Sequence, residues 1–318
     1  MLKKIFILLT FFSSLHIYPA TSNALDKKPS LTNPNITQLS PHVFALVGDM
    51  DVPNEENDGF ICNSAFVITS NGVVVIDPGG SVQIGRMIIK EIRKRTNKPI
   101  THVFNTHHHA DHWMGNLAFA ELNSKPVIMG HATMKDKAFE IGERWVKIIS
   151  DMTKGKNKGT KVVLPNKLLE GNENLKIGGT TFSLYHPEHA HTKGDIAIYL
   201  PEEKTLIAGD ILFYLRTPGF QDASPLGNEK ALQNLAKLNI QKVIPGHGPV
   251  TTIEGIKYML NYINLLHEQV KYYFEKGLED YEMKNKINVK SYTGMSGFKE
   301  RFGINVNRMY LEVEQNNL

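Results

Sequence analysis

The sequence predicts an α+β fold in which two sheets pack together with helices outside. Three observations point there. Short β-type runs bounded by turn residues come in an early set and a late set. Helical periodicity separates some of them. The 318 residues, 41% of them hydrophobic, suffice for the core of one large domain or two small ones.

The chain opens with "MLKKIFILLTFFSSLHIYPATSNA": a basic start at Lys3 and Lys4, an apolar run from Ile5 to Phe12, then small residues. Residues 1–24 therefore read as a secretory signal peptide cut after Ala24, which places the mature protein in the periplasm or outside the cell. The apolar run is shorter than the ~20 residues a spanning helix needs, so no stable membrane insertion is expected once the leader is removed. The leader carries two of the 36 basic residues and none of the 32 acidic ones, leaving a formal charge of +2. That near-neutral balance gives no electrostatic footprint for nucleic acid. Cys62, the single cysteine, excludes an internal disulfide and a thiolate metal cluster, and it reads as a small core residue in the strand-like "FICNSAFVI".

The β-type runs follow in order: "HVFALVG" (42–48), "SAFVITS" (64–70) with its hairpin continuation "GVVVID" (72–77), "THVFNT" (101–106) and "PVIMG" (126–130). The late set is "TTFSLYH" (180–186), "DIAIYL" (195–200), "TLIAGD" (205–210) and "KVIPG" (242–246). Between Val82 and Lys94, Ile84, Met87, Ile88 and Ile92 form a helical stripe. "KGKNKGTK" (154–161) reads as an exposed, mobile loop. From Thr251 a capping box with Glu254 starts a helix carrying Ile256, Leu260, Ile263 and Val270 on one face.

The chemistry-bearing stretch is "NTHHHADHWMGN" (105–116), between the strand "THVFNT" and the helix-compatible "NLAFAEL". Imidazole is the commonest metal ligand, and zinc accepts nitrogen from His and oxygen from Asp. In an extended loop, residues two apart point the same way, so His107 and His109 can grip one ion together. Asp111 and His112, at the turn into the helix, can grip a second. Each zinc wants four or more ligands, so others must come from later in the chain. His191 in "HAHTKGD", Asp210 closing "TLIAGD" and His247 in "VIPGHGPV" each lie where a strand runs out, the place where open α/β sheets collect ligands.

These residues, with Asp77 in "VVVIDPGG", resemble the five motifs of the metallo-β-lactamase-fold hydrolase superfamily, in order and over residues ~40–250. The resemblance implies an αββα sandwich of two mixed sheets, comprising residues 25–250, with residues 251–318 as a helical extension packed on the same domain. It implies a first zinc held by His107, His109 and His191, a second by Asp111, His112 and His247, and Asp210 bridging both. Iron and manganese are the alternative metals. Asp77 would brace the metal loop from outside. His102, His108, His131, His186 and His189 match no ligand position. The superfamily's cysteine-ligand lactamases have their cysteine where this chain has Asp210, which favours the glyoxalase-II-like and lactonase-like branches. The di-iron flavoproteins carry Glu where this chain has His109, which favours zinc. The leader, "GDILFYLRTPGFQD" and "NVNRMYLEVE" look like the exported quinoprotein relay system zinc metallohydrolases, and so imply a functional link to a quinoprotein dehydrogenase.

The function expected is that of an exported dinuclear zinc hydrolase. A hydroxide bridging the metals would cleave an ester, thioester or lactone-type bond in a small-molecule substrate, with Asp111 hydrogen-bonding the attacking oxygen. Tyr214, four positions past Asp210, is expected on the rim of the cleft as a hydrogen-bond donor. The helical tail is expected to cover one side of the cleft and shape the pocket. The rivals are β-lactam hydrolysis, phosphodiester cleavage, which the small charge disfavours, and a non-catalytic zinc accessory protein of a periplasmic quinoprotein system.

Overall fold

The computed structural model describes residues 28–317, so the expected signal peptide, residues 1–24, lies outside the described residues. The chain first builds an antiparallel set: β1 (Asn35–Gln38), β2 (Val43–Val47), β3 (Ser64–Ile68) and β4 (Val73–Ile76). The β3–β4 pair is the hairpin read from the sequence, with Ile68 opposite Val73 and Ala65 opposite Ile76. Helix α1 (Val82–Arg93) then crosses to β5 (Ile100–Phe104), which runs parallel to β4. Ser81 starts α1 by accepting from the Ile84 amide, and Lys90 and Arg93 close it where cations suit the helix dipole. The short helices α2 (Ala110–Trp113) and α3 (Asn116–Ala120), β6 (Val127–His131), α4 (Ala132–Met152) and β7 (Lys167–Leu169) complete a seven-stranded sheet.

The second sheet has five strands: β8 (Asn174–Ile177), β9 (Thr180–Tyr185), β10 (Ala197–Leu200), β11 (Thr205–Phe213) and β12 (Lys242–His247). Helix α5 (Pro225–Leu235) makes the crossover between the parallel pair β11 and β12. Helices α6 (Ile253–Phe274), α7 (Asp280–Met283) and α8 (Phe298–Asn316) follow.

Strand alternation decides the layers. Val43 and Ala45 of β2 face the second sheet and meet Phe182, Leu184, Ile198 and Ile207. Phe44 and Leu46, one residue out of phase, face the other way and pack with the α1 stripe Ile84, Ile88 and Ile92. The outer face of the second sheet is covered by α5, α6 and α8 through Leu232, Ile263, Leu266, Val306 and Met309. The result is the αββα sandwich of two mixed sheets.

Several local expectations are corrected. The strand expected to end at Asp210 runs on through Phe213, with irregular register against β12 from Ile207 to Phe213. Thr252 rather than Thr251 caps α6, its side chain accepting from the Glu254 amide. Cys62 lies in the loop before β3, not in the strand, and its thiol donates to the Asp111 carbonyl at 2.8 Å. The 154–161 loop exposes most of its lysines but is pinned, because Asn157 and Thr160 are buried. Thr160 Oγ1 accepts from the Val82 amide at 3.1 Å, and Asn157 donates to the Val146 carbonyl at 2.9 Å.

Candidate metal centre

The seven expected ligands meet at one end of the seam between the sheets. His107, His109, Asp111 and His112 come from the turn after β5 and from α2, His191 from the β9–β10 loop, Asp210 from β11 and His247 from the end of β12. The donor atoms of His107, His109, His191 and Asp210 all lie within 4.8 Å of one another, and so do those of Asp111, His112 and His247. Asp210 reaches both sets. Its Oδ2 is 3.2 Å from His191 Nε2 and 3.3 Å from His247 Nε2, while its Oδ1 is 3.2 Å from His112 Nε2. Gly246 makes this approach feasible, since a Cβ there would collide with the Asp210 carboxylate.

Four of the five imidazoles, those of His107, His109, His112 and His247, are turned inward by a contact to the other ring nitrogen, which fixes tautomer and ring direction. His112 Nδ1 donates to Asp77 Oδ2 at 2.9 Å, and His247 Nδ1 donates to the Ile61 carbonyl at 2.8 Å. His107 Nδ1 lies 3.0 Å from Thr106 Oγ1, and Thr106 is itself held by Asp77, through its amide at 2.8 Å and its hydroxyl at 2.7 Å. Asp77 is buried and sits in the left-handed region at φ 53°, a conformation Asp tolerates better than most residues. It ties the first histidine's support and the last histidine of the loop to one carboxylate.

His109 is the exception in polarity. Its Nε2 donates to Asp222 Oδ2 at 2.9 Å, leaving Nδ1 to face the cluster 2.8 Å from His191 Nε2. Asp222 was not singled out from sequence, although it closes the quoted run "GDILFYLRTPGFQD". The hydrogen bond from His109 holds its carboxyl down at about 2. The ionised Asp222 that accepts this bond is fully present above the ordinary carboxylate range and lost only as the pH falls through about 2. His189 donates to the Asp222 carbonyl at 2.9 Å, so the histidine two positions before His191 steadies this support rather than joining the cluster. Asp222→Ala is expected to weaken metal binding about tenfold to a hundredfold, read by chelator competition. Unchanged affinity would make Asp222 a bystander.

The donor set fits divalent cations. Nε2 of His107, Nε2 of His112 and Oδ1 of Asp210 are buried without a hydrogen-bond partner among the described residues. Each such orphan costs roughly 1–3 kcal/mol, so their convergence on one point calls for a cation. Burial opposes charge on Asp210, yet His247, His112, His191 and His107 around it hold its carboxyl well below the usual range. Asp111 is likewise held low, burial being outweighed by His112 and His247. Burial and the neighbouring His112 depress His107, keeping it a neutral donor.

Beside the cluster opens a cleft of about 380 Å³. Its lining combines apolar side chains, Ile61, Trp145, Ile148, Ile149 and Met152, with Phe213 next to the ligands, and polar ones, Arg216, Gln221, Asp222 and Arg301. Tyr214 is not on this cleft. Because β11 continues to Phe213, that residue takes the wall position, and the Tyr214 ring packs edge-on against Tyr258 with centroids 5.7 Å apart. Tyr214→Phe is accordingly expected to change turnover by no more than about twofold; a tenfold loss would put the phenol back in the chemistry. Of the remaining histidines, His131 and His186 stack on each other at 4.1 Å, and His102 lies against Thr101. Burial pushes His108 down to about 3.

Comparison with known proteins decides the family. The family model described as Metallo-beta-lactamase superfamily matches residues 57–247. The chain belongs to the metallo-β-lactamase superfamily. As a superfamily member it is a metal-dependent hydrolase. It is 24% identical over 220 residues to the Metallo-beta-lactamase type 2 of Elizabethkingia meningoseptica, covering 67% of this chain and 79% of that protein. It is also 25% identical over 258 residues to the Linear primary-alkylsulfatase of Pseudomonas sp. (strain ATCC 19151), of which it spans 48%. In fold it is similar to a metallo-beta-lactamase from Pontibacter korlensis, with a TM-score of 0.57, 21% identity and coverage of 73% and 99% of the two chains. Relatives named for such different substrates mean that superfamily membership does not itself choose the bond cleaved.

Proposed function

We propose that the protein is an exported dinuclear zinc hydrolase that cleaves an ester, thioester or lactone-type bond in a small molecule. The observation that carries the reading is the convergence of seven donors with buried, unpartnered atoms among them. His107, His109 and His191 would hold one ion, Asp111, His112 and His247 the other, and Asp210 would touch both. Divalent ions bound there supply Lewis acidity and water activation near neutral pH.

The chain's own residues do the rest. Of the two carboxylates in the cluster, Asp111 is 17% exposed and Asp210 4%, so Asp111 is the one that meets an incoming water. Held ionised, Asp111 accepts that water's hydrogen bond and orients its lone pair toward the substrate. Ile61, Trp145 and Phe213 exclude bulk solvent and seat the acyl part. Cys62 supplies no nucleophile: it is buried, burial pushes its thiol up, and its proton is engaged by the Asp111 carbonyl.

The leader at residues 1–24 supports a periplasmic or secreted location. The resemblance to the quinoprotein relay branch supports a functional link to a quinoprotein dehydrogenase, and part of that resemblance, Phe213 to Asp222, contributes to the cleft wall. β-Lactam hydrolysis is the second reading, favoured by the names of the lactamase relatives and disfavoured by Asp210 where the cysteine-ligand branch has its cysteine. A non-catalytic zinc accessory protein is disfavoured by the intact ligand set. The deciding experiment is a panel of thioesters, lactones, a chromogenic cephalosporin and a phosphodiester, run on the mature protein with zinc restored. Turnover of a thioester or lactone above all others is expected. Preference for the cephalosporin would transfer the assignment to the second reading, and a zinc-loaded protein inert to all four would leave the accessory role.

A further inference from the structure

The cleft has two chemically different sets of lining residues, and the cationic one is not consumed by the fold. Arg301, in the first turn of α8, lines the cleft together with Arg216. Arg216 is 3% exposed and lies directly beside His247 Nδ1, so it belongs to the support of that ligand. Arg301 is different. Among the described residues it makes no ion pair, and its guanidinium donates no hydrogen bond. Yet it is half-buried, and burial lowers its pKa.

The Arg301 side chain folds back over the start of its own helix. Its guanidinium lies over Gly297, the residue that starts α8 at φ 68°, and a Cβ at Gly297 would overlap it. Glycine suits the left-handed backbone at that position. An arginine that lines a cleft with its N–H fork unpaired can receive an anion, since that fork matches the geometry of carboxylate and sulfonate oxygens. Glu300, Asp111, Asp210 and Asp51 lie close enough to favour its charged form, but none pairs with it. The same cleft is lined by Trp145, Ile148, Ile149 and Met152, which suit an apolar body. Arg301 also lies outside residues 57–247, so this feature is added by the C-terminal helices to the part the superfamily shares.

We propose that Arg301 binds an anionic group, a carboxylate or a sulfo group, on the uncleaved part of the substrate, whose apolar body lies along Trp145, Ile148 and Met152. The word substrate rests on the hydrolase reading above; the anion site does not. The site fixes which end of the molecule enters first and presents the scissile bond to Asp111.

The test uses the zinc-loaded mature protein titrated with 4-phenylbutyrate, 4-phenylbutanesulfonate and the neutral 4-phenylbutanol, followed by calorimetry. The wild type is expected to bind at least one anion more tightly than the alcohol, and the tighter of the two identifies the group. Arg301→Gln is expected to weaken anion binding roughly tenfold to a hundredfold, leaving the alcohol and the zinc content unchanged. Arg301→Lys, which keeps the charge but not the fork, is expected to fall between, and it carries the test if the glutamine variant loses zinc or fails to fold. Anion binding unaffected by either variant would overturn the proposal, because the anion would then be held by the zinc ions alone. Because binding is read without turnover, a panel in which nothing is hydrolysed would sink the hydrolase reading while arginine-dependent binding still upheld the anion site.

Discussion

Asp210→Ala is expected to lower metal content from about two ions per chain to one or fewer, and to cut kcat/KM by at least about a thousandfold. The reason is geometric. Asp210 alone approaches ligands of both sets, at 3.2 Å from His191, 3.3 Å from His247 and 3.2 Å from His112. Removing it also leaves four imidazoles facing one another across a buried space with one carboxylate fewer to oppose their charge. Alanine leaves Gly246 and the rest of β11 undisturbed, so the loss would arise at the site. Metal analysis of both proteins after dialysis against trace zinc is the measurement. Equal metal content, whether one ion or two, would remove Asp210 from its bridging role.

Truncation after Pro249 is expected to abolish folding rather than merely alter substrate preference. The tail reaches the cleft through Arg301, but most of its buried side chains supply the outer layer of the second sheet. Ile256, Met259, Tyr262, Ile263, Leu266 and Val270 of α6, with Phe302, Val306, Met309 and Val313 of α8, are buried in one cluster with Leu206, Ala208 and Phe213 of β11. At about 1.5–3 kcal/mol for each buried apolar side chain, their loss exceeds the ~5–15 kcal/mol by which a whole domain is stable. The same deletion bares the apolar back of β11. Circular dichroism and a thermal scan would check this; a cooperative transition near that of the full chain would show that the sandwich stands without its fourth layer.

How far the sequence could be read follows from where each signal resides. Strands buried on both faces, such as β2 and β3, read as short continuous apolar runs stopped by Gly48 and by Asn71–Gly72, so their limits were legible within a residue or two. Helix α4 was not, because its buried face, Met134, Ala138, Gly142 and Ile149 out of 21 residues, is narrow and half of it is Ala and Gly, which carry little hydrophobic signal. Helix α8 starts at Gly297 without any side-chain cap, so it lacks the usual opening signal. The ligands were legible because four of them crowd one loop in a spacing that little else explains. Their supports were not: Asp222 and Arg301 are ordinary surface-type residues in a linear text, and only the fold brings them to His109 and to the cleft. Tyr214 was misplaced by the same limit, since the irregular pairing of β11 with β12 carries the strand three residues beyond Asp210.

The division of the ligands between the two sheets has a consequence for the life of the protein in a metal-poor medium. His107, His109, Asp111 and His112 hang from one sheet, while His191, Asp210 and His247 hang from the other. Ions held by both sets act as rivets through the seam, and prying the halves apart must release them. A ligand bound only to the folded form, present at a thousand times its dissociation constant, adds about 4 kcal/mol to stability. Scavenging metal from the surroundings would then do more than silence the enzyme: it would loosen the seam and offer the two sheets to proteases, so that the amount of intact protein tracks the supply of the metal. Limited proteolysis of zinc-loaded and chelator-stripped samples reads this directly, with faster cutting expected in the stripped one.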